Sequence, residues 1–127
     1  MNSYLISYNG NITITDEDIL NILSDATYAC SYWCSIYEYD TEEYKKAKKN
    51  LKDPCCEEVI LNMLHNDMNV FMYVNDEDKL YQLTLPGIIK GISLHLEHDG
   101  SPDITDWDGW DADWIMQYAI FGDVIYG

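Results

Sequence analysis

Val70-Phe71-Met72-Tyr73-Val74, then Asn75-Asp76-Glu77-Asp78, then Leu80-Tyr81-Gln82-Leu83 is the stretch on which the fold turns. Two runs of β-branched and aromatic residues around a four-residue polar turn predict a β-hairpin. Thr84 follows as a helix cap, with Pro86 in the first turn. Ile88, Ile89, Ile92 and Leu96 recur at helical spacing, and Asp99-Gly100-Ser101-Pro102 closes that helix. A hairpin leading straight into an amphipathic helix points to an α+β fold.

Toward the N-terminus, Ser3 to Tyr8 and Asn11 to Ile14 read as two short strands around the Asn9-Gly10 turn. Thr15 caps a helix with Asp16, Glu17 and Asp18 in its first turn, where acids suit the helix dipole. Ile19, Ile22, Leu23, Ala26, Cys30 and Trp33 form its inner face, so this helix should reach Trp33 or Ile36. Asp40-Thr41-Glu42-Glu43 opens a polar helix, expected to be exposed, with Lys residues near its C-terminal end. Asp53 caps the next helix, Pro54 takes its first position, and Val59, Ile60, Met63 and Leu64 face inward. Beyond the central stretch, a loop of Asp, Trp and Gly runs to Gly109. A last helix spans Ala112 to Phe121, Gly122 stops it, and Val124 to Tyr126 should add a terminal strand. The expected architecture is one domain over residues 1–127. A small antiparallel sheet, the hairpin 70–83 plus terminal strands, packs with four to five helices.

A chain of 127 residues with 47% apolar residues can build its own core. Its charge is extreme: 23 Asp and Glu face 7 Lys, with no Arg, for a net charge of −16. Five of the lysines lie between Lys45 and Lys52, and none follows Lys90. Such a surface repels nucleic acid and anionic lipid and steers basic partners toward itself. The Lys45–Lys52 run is neutralised locally by Glu42, Glu43, Asp53, Glu57 and Glu58, so direct nucleic-acid binding is not expected. Met1-Asn2-Ser3-Tyr4 has neither a basic start nor a long apolar run, so the expectation is a cytosolic protein with reduced cysteines.

The residues that could carry chemistry are few. Asp103, Asp106, Asp108, Asp111 and Asp113 alternate with Trp107, Trp110 and Trp114. Oxygen-rich loops bind calcium. Yet placing Gly109 at the invariant glycine of an EF-hand puts Ile104 and Ile115 at its first and last ligand positions, which excludes that motif. The other reading is a carboxylate array that mimics phosphate charge, with tryptophans as anchors. The candidate contact residues are Asp76, Glu77, Asp78, Glu97, Asp99, Asp103, Asp106, Trp107, Asp108, Trp110, Asp111 and Asp113. His95 and His98 share a helix face, but spacing fixes no third ligand. Cys30 and Cys34, and the adjacent Cys55 and Cys56, match neither zinc nor redox spacing. No phosphate-binding glycine loop, nucleophile elbow or metalloprotease motif occurs. These readings assign no catalytic residue, metal or cofactor.

Three stretches go together: Asp18-Ile19 through Tyr32-Trp33-Cys34; Leu80-Tyr81-Gln82-Leu83-Thr84 with Gly91-Ile92; and Ala112-Asp113 through Gln117-Tyr118-Ala119-Ile120-Phe121-Gly122 to Tyr126-Gly127. In these the chain resembles a family of small acidic proteins carried by phages and mobile elements of low-GC Gram-positive bacteria. The resemblance spans most of the chain, is densest at the C-terminus, and leaves out Asp40 to Asn66. It implies no catalytic residues. It does imply a setting in which small acidic proteins, anti-CRISPR proteins among them, block host enzymes by occupying nucleic-acid grooves. The expected partner is a basic nucleic-acid-binding protein such as the CRISPR effector Cas9, met by a monomer or homodimer in the host cytosol. The alternatives are a protein-interaction or self-associating accessory protein and a cation-binding protein.

Overall fold

The computed structural model describes residues 2–36, 41–98 and 100–127. The fold is α+β, with helices packed on two small antiparallel sheets.

Strands β1 (Ser3–Ser7) and β2 (Asn11–Thr15) pair around Asn9-Gly10, with Ile6 opposite Ile12 and Tyr4 opposite Ile14. Ile6 and Ile14 are buried, as alternation requires of a sheet with one covered face. Thr15 ends β2 and caps α1 (Asp16–Ala29) in a capping box: its backbone N–H donates to Asp18 Oδ2 at 2.7 Å. Ile19, Ile22, Leu23 and Ala26 turn into the core.

Helix α1 stops earlier than its apolar spacing predicts. The Trp33 and Cys34 N–H groups both donate to the Cys30 carbonyl, making a tight turn. Cys34–Ile36 then forms β3. The reason is the neighbouring strand β4 (Val70–Val74). It buries Val70, Met72 and Val74, and it needs a hydrogen-bonding partner along each edge. β5 (Lys79–Leu83) supplies one and β3 the other, in the order β3-β4-β5. The hairpin itself is as predicted, with Asp78 in the left-handed region at φ 48°.

Helix α2 (Glu42–Lys49) begins just after Asp40, which lies outside the described residues, and is capped by Thr41. It is less exposed than predicted, because Tyr44 and Ala47 are buried while its lysines stay in solvent. Helix α3 (Cys56–His65) is capped at Cys55 rather than Asp53, since Asp53 sits at φ 45° and Pro54 precedes the helix.

Helix α4 (Leu85–His98) starts at Thr84, whose hydroxyl accepts from the Gly87 N–H at 3.0 Å. It lies against α5 (Gly109–Phe121), with a short 3-10 turn at Ile104–Asp106 between them. Gly91 of α4 lies close against the α5 backbone. A Cβ there would stand 2.6 Å from the Ile115 carbonyl oxygen, so no other residue fits. Helix α5 starts three residues before the predicted Ala112 because Asp108 caps it, and ends at Gly122, φ 76°.

No terminal strand forms at Val124–Tyr126. The Gln117 side chain takes the place of a strand partner. Its Oε1 accepts from the Ile125 and Tyr126 N–H groups at 2.8 Å each, and its Nε2 donates to the Tyr126 carbonyl at 2.9 Å. The tail is thereby tied to α5, and Tyr126 stacks on Trp33 with ring centroids 5.6 Å apart. Among the described residues, no helix is long and apolar enough to cross a membrane.

Candidate interaction site around the Asp-rich segment

The segment between α4 and α5 sorts its acids by local geometry. Asp103 caps the 3-10 turn: its Oδ1 accepts from the Thr105 hydroxyl at 2.6 Å and the Thr105 N–H at 3.1 Å. Those two bonds favour the ionised carboxylate and hold its pKa below the ordinary value. Asp108 caps α5, accepting from the Trp110 N–H at 2.9 Å. Asp103, Asp106, Asp108 and Glu97 are exposed, and Asp99 lies outside the described residues.

Asp111 and Asp113 depart from the predicted contact surface. Both are buried, 8% and 6% exposed. Asp111 completes the capping box by accepting from the Asp108 N–H at 3.0 Å, and shares a 2.7 Å hydrogen bond with His95 Nε2. Asp113 accepts from Trp33 Nε1 at 2.7 Å, from the Tyr32 hydroxyl at 2.6 Å and from Gln117 Nε2 at 3.0 Å. A buried carboxylate so fully bonded holds structure rather than meeting a partner. The Asp-x-x-Asp box and the one-turn Asp113–Gln117 spacing were the sequence signals for this inward turn.

His95 forms the floor beneath the segment. It is wholly buried, with the rings of Trp107, Trp110 and Trp114 at 6.0–6.4 Å. Among the described residues, its Nδ1 has no hydrogen-bond partner. His98 is exposed and stacks on Tyr118, so the two histidines do not converge as ligands. Among the described residues, no group of three or more His, Cys, Asp or Glu side chains could hold a metal ion. Trp107 is half-buried and donates from Nε1 to the Ser101 carbonyl at 2.8 Å. Trp110 remains 51% exposed beside Asp108. Trp107, Trp110 and Tyr126 do not make one aromatic patch, because Tyr126 is held on Trp33 and Phe121, at the far end of α5.

Asp76, Glu77 and Asp78 are exposed but belong to a second place. The Tyr73 hydroxyl donates to Asp78, and the Tyr81 hydroxyl to Glu77 at 2.7 Å. The Tyr81 ring meets Phe121, the last residue of α5, whereas Asp108 precedes its first. A helix of this length separates the two acidic groups by about 20 Å.

Two acids unmarked by sequence join the Asp-rich segment instead. Asp18 and Asp25 of α1, seven residues apart, line a cleft of about 260 Å³ with Asn21, Thr105, Trp107 and Asp108. Burial and the nearby charge of Asp108 raise the Asp25 pKa, although its side chain still reaches solvent. Their two-turn spacing on the flank of α1 away from its core face was the available signal. The cysteines contribute nothing to this cleft. Cys30 and Cys34 are buried, and a hydrogen bond with Cys34, reinforced by burial, drives the Cys30 pKa upward.

Set against protein families, curated proteins and solved structures, the chain matches none.

Proposed function

We propose that this protein is an acidic inhibitor that docks its Asp-rich segment into the cationic nucleic-acid groove of a host defence enzyme, in the manner of an anti-CRISPR protein. The observation that carries the reading is the convergence of Asp18, Asp25 and Asp108 on one cleft that no lysine lines, with Asp103 and Asp106 exposed on the adjoining segment. Burial first, and the neighbouring Asp108 charge second, raise the Asp25 pKa, and nearby Lys and Arg side chains of a partner would offset the second. Trp110, 51% exposed and two residues after Asp108, offers an apolar anchor on the same segment. The phage-type resemblance supplies the class of target, a nucleic-acid-binding effector such as Cas9, acting in the host cytosol. The segment at Asp76–Asp78 is a second contact about 20 Å away, within reach of the same groove. A self-associating accessory role has less support, because the aromatic residues that would mediate it are divided between the two ends of α5.

A competition experiment tests the proposal. Purified Cas9 is loaded with guide RNA, and binding of a labelled target duplex is followed as this protein is added at low and at high salt. The expected result is displacement of the duplex at low salt, with apparent affinity falling at least about tenfold as ionic strength rises from 0.05 to 0.5 M. No displacement, or displacement insensitive to salt, contradicts charge mimicry at that groove.

A further inference from the structure

Helix α1 presents a different surface on its other flank. At 3.6 residues per turn, Asp18, Asn21 and Asp25 face the Asp-rich cleft, while Asp16, Glu17 and Leu20 face away from it. The latter line an open groove of about 560 Å³ between α1 and α3. Its floor is leucine: Leu20 and Leu51 are half-buried and Leu61 is buried. Its rim is acidic, with Asp16 and Glu17 on one side and Glu58 on the other, and no lysine lines it. One end is fixed by a polar cluster in which the Tyr4 hydroxyl donates to Asp16 Oδ1 at 2.7 Å and His65 Nε2 lies 3.1 Å from the same oxygen.

We infer that this groove binds an amphipathic, basic helical segment of a partner protein. Leucine-type anchors occupy the floor, and flanking Lys or Arg side chains meet Asp16, Glu17 and Glu58. Charge complementarity selects this occupant. Nucleic acid and anionic lipid are repelled by the rim. A second copy of this chain does not fit either. Its lysines cluster around α2, whose apolar residues Tyr44 and Ala47 are already buried, so that helix has nothing to place on the floor. The ten residues of α3 span about 15 Å, room for some three turns of bound helix. This inference does not rest on the Asp-rich cleft, which lies on the opposite flank of α1.

The probe is a fluorescein-labelled helical peptide of about 18 residues, five turns, with Leu at i, i+3, i+4 and i+7 spacing and Lys elsewhere. Binding is read by fluorescence anisotropy. Two variants of equal charge change are compared: Leu20→Lys/Leu51→Lys in the groove and Asp106→Asn/Asp108→Asn in the Asp-rich segment. The groove variant is expected to weaken binding at least about tenfold, and the segment variant less than about twofold. Replacing the peptide's leucines by serine should weaken binding as strongly as the groove variant. Should Leu20→Lys/Leu51→Lys fail to fold, the exposed pair Glu17→Lys/Glu58→Lys replaces it, against Asp106→Lys/Asp108→Lys. The same ordering is then expected. Unchanged affinity in the groove variant, an equal loss in the segment variant, or full binding by the serine peptide overturns the inference. None of these outcomes bears on docking of the Asp-rich segment to a nucleic-acid groove.

Discussion

Asp106 and Asp108 differ from Asp111 and Asp113 by only a few positions, yet the first pair faces solvent and the second is buried. The first two lie in or border irregular backbone, where Asp side chains satisfy local N–H groups and still reach water. The second two lie on a helix covered by α1 and α4, where phase alone decides which way a side chain points. Net charge therefore describes how the molecule meets partners but not which acids do so. Within one segment, Asp111 and Asp113 are turned into the fold, while Asp103, Asp106 and Asp108 stay open to solvent, Asp103 and Asp108 as helix caps.

Removing an inward acid has the largest expected effect. Asp113→Ala leaves Trp33 Nε1 buried without its acceptor and takes one of two acceptors from Gln117 Nε2, which keeps the Tyr126 carbonyl, while the Tyr32 hydroxyl, on a residue 57% exposed, can turn to water. The expected loss is about 3 kcal/mol, a fall of roughly 10 °C in Tm by thermal melt. Asp113→Asn keeps one acceptor and should lose about half as much. A change below about 0.5 kcal/mol for Asp113→Ala would show that Asp113 is not structural.

A smaller effect separates capping from charge at Asp108. Alanine removes the bond from the Trp110 N–H and should cost about 1 kcal/mol in denaturant unfolding. Asparagine caps as well as aspartate, so Asp108→Asn should stay within a few tenths of a kcal/mol of the parent. Equal losses in the two variants would mean that the charge, not the cap, stabilises α5.

The smallest effect is a gain. The Asp25 pKa is raised in the folded protein by burial and by Asp108. The native state therefore holds the Asp25 proton more tightly than the unfolded chain does. The stabilisation this gives is fully present below the unfolded carboxyl pKa of about 3.9 and is lost as pH rises through the folded value. At neutral pH the ionised group is a liability. Asp25→Asn should then raise stability by less than about 0.5 kcal/mol, and that gain should disappear as the melt is repeated toward pH 4. A gain that grows on acidification would reverse the sign and remove the assignment.

Much of the fold could be read from local pattern. The 70–83 hairpin, the Thr15 and Thr84 caps, and the Gly122 stop each follow from residues within a few positions of one another. What could not be read depends on distant partners. β3 exists because β4 needs a second neighbour, yet Cys34 and Val74 are forty positions apart in the chain. The terminal strand fails because a single Gln117 side chain satisfies the backbone groups a strand would have paired. Asp113 turns inward toward Trp33 and Tyr32, which lie on the far side of the core in sequence. Asp18 and Asp25 join the site only because α1 is laid beside the Asp-rich segment, a juxtaposition no local spacing encodes.

The division between docking and structural carboxylates is tested most directly by calorimetric titration of guide-loaded Cas9 with the Asp103→Asn/Asp106→Asn/Asp108→Asn protein. Asparagine preserves both caps, so charge alone is altered. Docking through this segment predicts an affinity at least about tenfold below that of the parent. An affinity equal to the parent's would contradict it, and would move the functional surface away from this segment.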